Sequence, residues 1–329
     1  MKPATIFAMR TCLASSSDAR IVANVSRITA IWTVLLAGAV CSAQDALVKL
    51  IPADAPVLAG MQRSSTDNEY DRVWFATAKN LNDLKDFISL TDADPSRRFD
   101  RVIVAASPAG NDLLGDHLLL AQGRFDLTAI AQPAASSVVE FHGVAVLVLN
   151  QPSNPGAEVR WLANLHNRIV LFGSPSAVQK ALLRYESDER ADQAVIARLG
   201  RIPRRDIAWS SITLNPQVLK SHLHLNAYER NAVPCLATAR ELVFGVRFDS
   251  HARLDLAVTA DSPQDAGTSI ACLRYLADPV DRIVMRTRLD AGAPIATMSI
   301  ASTRDRYSRW VDMFRHHAGD LLLAAATPN

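Results

Sequence analysis

The sequence has few of the residues from which common catalytic and cofactor sites are built. Its 329 residues include only 4 cysteines, 8 histidines and 13 glycines. The glycines never reach the close spacing of a phosphate-binding loop, so nucleotide binding is not expected. No H-E-x-x-H or C-x-x-C pattern and no pair of carboxylates at ligand spacing accompanies the histidines, so no metal is expected either.

The histidines that stand closest together in the sequence do not form a ligand set. His222 and His224 would share one face of a strand, but they follow Pro216, where helical spacing begins. Two residues apart on a helix, their side chains diverge. His316 and His317 are adjacent, and near a helix C-terminus they interact favourably with the helix dipole without any further role. The sequence therefore offers no catalytic, cofactor-binding or metal-binding residue.

The amino-terminal region has the layout of an export signal. Ile28–Val40 is a run of 13 uncharged residues, and small residues end at Ala43 before the polar Gln44. Four bases and one acid precede the run: Lys2, Arg10, Arg20, Arg27 and Asp18. Thirteen helical residues span about 20 Å, short of the roughly 30 Å hydrocarbon core of a membrane. We therefore predict a signal peptide over residues 1–43, cleaved between Ala43 and Gln44.

The overall basic charge belongs to this predicted leader. The chain has 35 bases and 33 acids, and without residues 1–43 it has 31 bases and 32 acids, a formal charge of −1. A mature chain without net positive charge lacks the electrostatic attraction that drives non-specific binding to nucleic acid. The local run of Arg198, Arg201, Arg204 and Arg205 is interpreted as a solvated linker, so no nucleic-acid partner is expected.

The placement of the cysteines agrees with export. Cys41 follows the apolar run, but Val40 stands where lipid attachment requires a small residue, so a lipoprotein is the weaker alternative. Cleavage leaves Cys235 and Cys272, which in an oxidising compartment either form a disulfide or remain two buried thiols; a catalytic role is the third alternative. A disulfide that closes this loop would add roughly 3–4 kcal/mol of stability.

Helix-start signals recur along the mature region. Ser174-Pro175, Asn215-Pro216 and Ser262-Pro263 each follow an apolar strand and precede helical spacing, and Ser302 marks a fourth such junction. The side-chain oxygen caps the exposed amides of the first turn, and proline at the next position loses no hydrogen bond. Gly173–Ala177 departs from the G-x-S-x-G spacing of a hydrolase elbow, so Ser174 is predicted to be a cap and not a nucleophile.

Strand-length apolar runs separate these helices and predict an α+β fold. Leu242–Phe248 and Arg253–Thr259, for example, flank a turn and predict a hairpin. The order of elements predicts an internal duplication: two related α+β halves of mixed or antiparallel sheet, residues 44–200 and 201–329, with capped helices packed on the sheets. The arginine- and proline-containing stretch Gly200–Arg205 is expected to join the halves.

Framework stretches of the mature region resemble a group of uncharacterised exported bacterial proteins of the domain-of-unknown-function type. The stretches are Leu50–Gly60, Phe99–Ala105 with Leu119–Asp126, Gly143–Leu149 with Arg168–Leu182, and Asp206–Leu214 with Glu241–Leu273. The resemblance covers most of the mature chain. It implies export, a repeated α+β architecture and a non-enzymatic character, and it carries over no catalytic residue.

The function expected from the sequence is binding outside the cytoplasm. We expect a periplasmic or secreted, non-enzymatic protein that binds an unknown protein or small ligand in the cell envelope and meets the membrane only through its signal segment. One alternative is a hydrolase whose site assembles from distant residues. The other is an envelope assembly factor tethered to the membrane by an uncleaved leader.

Overall fold

The computed structural model describes about half of the chain. The described residues are 46–63, 87–88, 99–109, 112–125, 135–149, 159–187, 190–202, 206–214, 234–248, 252–277, 284–289 and 294–302. The chain divides between Ala46 and Leu47 into two units, and every described residue except Ala46 belongs to the second. The predicted cleavage site at Ala43 and Gln44 lies outside the described residues. No helix within those residues is long and apolar enough to cross a membrane.

Beta strands make up most of the described part of the second unit. In chain order they are β1 (Val57–Gln62), β2 (Phe99–Ala109), β3 (Asp112–Gly123), β4 (Ala135–Phe141), β5 (Val144–Leu149), β6 (Arg160–Leu165), β7 (Ile169–Gly173), β8 (Ala208–Thr213), β9 (Ala239–Phe248), β10 (Ala252–Ala260), β11 (Val284–Leu289) and β12 (Ile295–Ser302). The predicted hairpin is confirmed as β9 and β10, whose register pairs Phe248 with Ala252.

All twelve strands belong to one antiparallel sheet. Their order across it is β11-β12-β10-β9-β8-β1-β2-β3-β7-β6-β5-β4. The prediction of an α+β fold with two related halves is therefore wrong: β1 and β8 pair along their length, from Val57 opposite Ile212 to Met61 opposite Ala208, and make the sheet continuous. The patterns along the chain indicated the strands, but alternation of apolar residues does not encode which strands pair across a long sequence separation.

Three α-helices have both ends in the described part of the chain: α1 (Pro175–Glu186), α2 (Gln193–Gly200) and α3 (Pro263–Ala277). Residues 46–49 and 87–88 are helical as well. The predicted caps of α1 and α3 are confirmed. Ser174 Oγ accepts from the amide of Ala177 at 3.2 Å, and Ser262 Oγ accepts from the amide of Asp265 at 3.1 Å. The helices predicted after Asn215 and Ser302 lie outside the described residues, as do His222, His224, His316 and His317.

Two tight turns set the register at one end of the sheet. The β4–β5 turn places His142 and Gly143 at φ 51° and 75°, and the β6–β7 turn places His166 and Asn167 at φ 52° and 57°. His142 and Gly143 form a two-residue turn between the paired Phe141 and Val144, a type whose twist matches that of the flanking strands. The β6–β7 turn has three residues, 166–168, between the paired Leu165 and Ile169. These turns hold β4 to β7 as adjacent short hairpins.

The sheet has two faces that are covered differently. The face that carries Ile103, Leu120 and Leu171 is called the first face here; α1 and α2 pack on it through buried residues such as Val178 and Val195. The first face is apolar from β1 towards β6 but polar across β9, β10 and β12. The candidate site lies on the polar part of this face.

The second face is mainly apolar, with a few polar residues such as Ser210 and Asn164. Leu119, Leu162 and Phe172 lie in one core on its β1–β6 side. On the other side α3 packs its Ala266 and Ile270 into a second core that includes Leu254, Val258 and Met298. Burial of these side chains is worth roughly 1.5–3 kcal/mol for each large aliphatic or aromatic residue and is the main contribution to the stability of the two cores.

Candidate functional site

A polar patch occupies the first face where the helices α1 and α2 do not cover it. We define the polar patch as Arg247 on β9, Arg253 and Asp255 on β10, and Thr297 and Ser299 on β12. The register places Arg247 opposite Arg253 and Asp255 opposite Ser299, so these positions share one face. All five side chains are half-buried and keep some contact with solvent.

Asp255 is the centre of the hydrogen bonds in this patch. It accepts from Ser299 Oγ at 2.5 Å, and its Oδ2 lies 3.3 Å from Arg247 Nη2. Arg253 differs from Arg247 because none of the described residues forms an ion pair with it. The Thr297 hydroxyl donates to the backbone carbonyl of Arg288 at 3.4 Å. The patch therefore combines one engaged guanidinium, one guanidinium without an ion pair among the described residues, and two hydroxyl groups that already donate hydrogen bonds.

Asp206 forms the buried inner border of the patch. It lies two residues before the start of β8 and is 0% exposed, and neither carboxylate oxygen has a hydrogen-bond partner among the described residues. The carboxylate lies over Gly245, which the register places opposite Asp255. A Cβ atom on Gly245 would stand 1.8 Å from Asp206 Oδ2, so only glycine leaves room for this side chain.

The surroundings of Asp206 favour its protonated form. Burial, the largest cause, and the negative charge of Asp255 together raise the pKa of Asp206 to about 7, and the positive charge of Arg247 partly opposes them. A buried carboxylate without hydrogen-bond donors pays the full cost of desolvation when it ionises. Asp206 can therefore exchange a proton near neutral pH, although its complete burial keeps it out of reach of a substrate.

Glu241 on β9 anchors a second polar cluster, between the patch and the helices. It is 7% exposed, accepts from Ser211 Oγ at 2.8 Å, and accepts from Arg201 Nη1. Arg198 Nε lies 3.6 Å from Glu241 Oε1. Two guanidinium groups thus neutralise one buried carboxylate, which joins α2 to the sheet.

Arg198 is part of the fold and not of a solvated linker. Its guanidinium donates to the backbone carbonyl of Ala55 at 2.5 Å, to that of Pro56 at 3.2 Å and to that of Ser211 at 3.0 Å. Burial, assisted by the neighbouring charge of Arg201, lowers the pKa of Arg198 to about 10. The interpretation of this arginine run as a linker is therefore wrong for Arg198 and Arg201, because α2 turns them towards Glu241.

A third cluster holds the start of α1. Asp116 on β3 accepts from Ser174 Oγ at 2.6 Å, from Ser176 Oγ at 2.5 Å and from Lys180 Nζ at 2.9 Å. Burial of Asp116 opposes its ionisation, but these three donors outweigh burial and keep the pKa of Asp116 below its ordinary value. Ser174 thus has a partner on each side, a role in architecture that agrees with its prediction as a cap.

The two cysteines of the predicted mature chain are joined by a disulfide. Cys235 lies in a turn of 3-10 helix, Pro234–Leu236, just before β9, and Cys272 lies in α3; their Cα atoms are 5.4 Å apart. The bond links α3 to the segment that precedes β9. This Cα–Cα distance lies in the range that a disulfide requires, so the alternatives of two free thiols and of a catalytic cysteine do not apply.

Sequence reasoning did not single out Asp206, Glu241 or Asp116. One signal was available for Asp206, because an acid stands two residues before the strand β8. Its neighbours in space, however, come from β9 and β10. Among the described residues, no three histidine, cysteine, aspartate or glutamate side chains lie close enough to hold a metal ion.

Comparison with known proteins assigns neither a family nor a function to this chain. No protein family, curated protein or solved structure matches this chain. The resemblance to exported bacterial proteins stays a prediction, and the case for function rests on the geometry of the polar patch and on the disulfide.

Proposed function

We propose that the chain is exported and that its mature part binds a polar, anion-bearing ligand or partner on the polar patch. The observation that carries the binding role is Arg253: a half-buried guanidinium, without an ion pair among the described residues, on the part of the first face that α1 and α2 do not cover. A guanidinium presents several donors in a fixed fork that suits carboxylate and phosphate groups. Ala301 stands opposite Arg253 on β12, and the next residue of β12 on the same face is Ser299, whose hydroxyl donates to Asp255.

The layout of the patch supports binding more than catalysis. The carboxylate of Asp255 already accepts a hydrogen bond from Ser299 and forms an ion pair with Arg247. Asp206 is fully buried behind them. An anion that docks on Arg253 would contact a surface whose positions are held by backbone pairing of β9, β10 and β12, which limits the ordering cost of binding.

Two features support the export part of the proposal. The Cys235–Cys272 disulfide is of a kind that persists in oxidising compartments. The second unit of the chain begins at Leu47, three residues beyond the predicted mature terminus Gln44. Leu47 and Leu50 are fully buried, so the core starts as soon as the predicted leader ends.

Binding is tested by titration with simple anions. Succinate and inorganic phosphate serve as probes, and the side-chain Nε–H signals of the arginines are followed by nuclear magnetic resonance. We expect the Arg253 signal to shift on titration, and Arg253→Gln to weaken binding at least fivefold. Arg240→Gln is the matched control, because Arg240 is exposed and already paired with Asp261 at 2.7 Å. Equal affinity of wild type and Arg253→Gln for these anions would contradict binding at the polar patch.

Export is tested by expressing the full gene product in a bacterial host and fractionating the cells. We expect the protein in the periplasm or medium, with Gln44 at its amino terminus by mass spectrometry. An intact leader on a membrane-associated protein would favour the tethered assembly factor instead. Full-length protein in the cytosol would contradict export altogether.

A further inference from the structure

The strand β4 forms one edge of the sheet and has the features of an edge that takes up another strand. In the described part of the chain it pairs on one side only, with β5. Its sequence, ASSVVEF, contains no lysine, arginine or proline. Edge strands that avoid association commonly carry such residues. The opposite edge, β11, does carry two arginines, Arg286 and Arg288.

One apolar side chain at this edge stands in solvent although its row belongs to the core. On the second face the register runs from Phe172 to Leu162, then to Leu147, then to Val138. Phe172 and Leu162 are 0% exposed and Leu147 is half-buried, but Val138 is 63% exposed. The row of apolar side chains ends uncovered at the sheet edge.

We propose that β4 pairs with β4 of a second copy of this chain, antiparallel and centred on Val138, so that the two sheets continue as one. A two-fold axis between antiparallel copies of one strand passes between a residue and its own copy. With the axis at Val138, the two Val138 side chains face each other with Cβ atoms about 5 Å apart. The core row then runs unbroken from Phe172 of one copy to Phe172 of the other.

The charges on β4 are compatible with this register. Glu140 stands opposite Ser136 of the second copy, and the two Glu140 residues are separated by four residue steps, about 13 Å. That separation exceeds the screening length of about 8–10 Å at moderate salt. An axis at Val139 would instead place Glu140 opposite Val138, and Val139 is already half-buried against the core of the first face. The positions of Glu140 and Val139 therefore favour a two-fold axis at Val138.

The contact is short, so the association is expected to depend on concentration. Stable interfaces bury roughly 800 Å² on each partner, more than one strand of this length provides. Sedimentation velocity with the purified full gene product, from about 1 to 300 μM, should show monomer and dimer in exchange. Val138→Lys places two like charges face to face and should weaken dimerisation at least tenfold. Because Val138 is exposed, circular dichroism should show an unchanged fold.

Leu183→Lys is the matched control. Leu183 is 47% exposed on α1, away from the sheet edge, and its substitution should leave the dimer unchanged. A protein that is monomeric over the whole concentration range would overturn the proposal, as would a dimer that Val138→Lys does not weaken. Neither result bears on the polar patch, because Arg253→Gln leaves β4 intact.

The register is tested by oxidative cross-linking in a background that carries Cys12→Ser and Cys41→Ser. Val138→Cys should form a disulfide-linked dimer, since the two Cα atoms across the axis lie within the range that a disulfide spans. Glu140→Cys should not, because its copy lies about 13 Å away along the strand. Cross-linking of Glu140→Cys as fast as Val138→Cys, or preferential cross-linking of Val139→Cys, would overturn the proposed pairing.

Discussion

Replacement of Asp206 by asparagine should change how the stability of this protein depends on pH. The native state raises the pKa of Asp206 from 3.8 to about 7, so the native state holds this proton more tightly than the unfolded chain does. The stabilisation from this proton is fully present below about pH 4 and is lost as pH rises through about 7. Wild type should therefore become less stable between pH 5 and pH 8.

The size of the effect follows from the shift in pKa. Each unit corresponds to about 1.4 kcal/mol, so the span from pH 5 to the native pKa of about 7 is worth about 2–3 kcal/mol. Asp206→Asn cannot ionise and should lack this pH-dependent loss. The cost of burying its amide without acceptors, about 1–3 kcal/mol, is the same at both pH values and cancels in the comparison.

The assay is urea unfolding of wild type and Asp206→Asn at pH 5 and at pH 8, with the disulfide intact. The stability of the variant relative to wild type should rise by about 2–3 kcal/mol from the lower to the higher pH. Asp261→Asn is the control, because Asp261 is exposed and its pKa is lowered by the hydrogen bond from Arg240. Identical pH profiles for wild type and Asp206→Asn would refute the assignment of a raised pKa to this carboxyl group.

Three further predictions concern the same framework. Gly245→Ala should destabilise the fold by about 1–3 kcal/mol in urea unfolding, because its Cβ would meet the carboxylate of Asp206, and the cost should shrink in an Asp206→Ala background. Glu241→Gln should cost about 3–5 kcal/mol, since it leaves the buried charge of Arg198 without its counter-ion; an unchanged melting temperature would contradict this. Reduction of the disulfide should lower the free energy of unfolding by roughly 3–4 kcal/mol, measured with and without dithiothreitol.

Local features of the fold could be predicted, because short-range physics decides them. Ser174 and Ser262 cap helices where a side-chain oxygen stands one residue before a proline. The β9–β10 hairpin joins two alternating runs across a short turn. In each case the atoms that interact lie within a few residues of one another, so the sequence pattern and the contact coincide.

The candidate site could not be predicted, because its members are far apart in the chain. Asp206 acquires its raised pKa only when β8 and β9 place it over Gly245 and near Asp255. Arg198 is buried and forms an ion pair with Glu241 only when α2 packs on the first face. Read along the chain, the same arginine belongs to a basic run, and nothing in that run distinguishes a buried charge from a solvated one.

The sequence alone determined where strands and capped helices form, since these depend on apolar periodicity and on donors and acceptors within one turn. The tertiary structure alone decided that β1 and β8 join the strands into one sheet, because backbone hydrogen bonds can form between many pairs of strands and these two are about 150 residues apart in the sequence. It also decided which charged groups lose their water. That loss depends on what packs above a residue, and it sets the pKa of Asp206 and the engagement of Arg198.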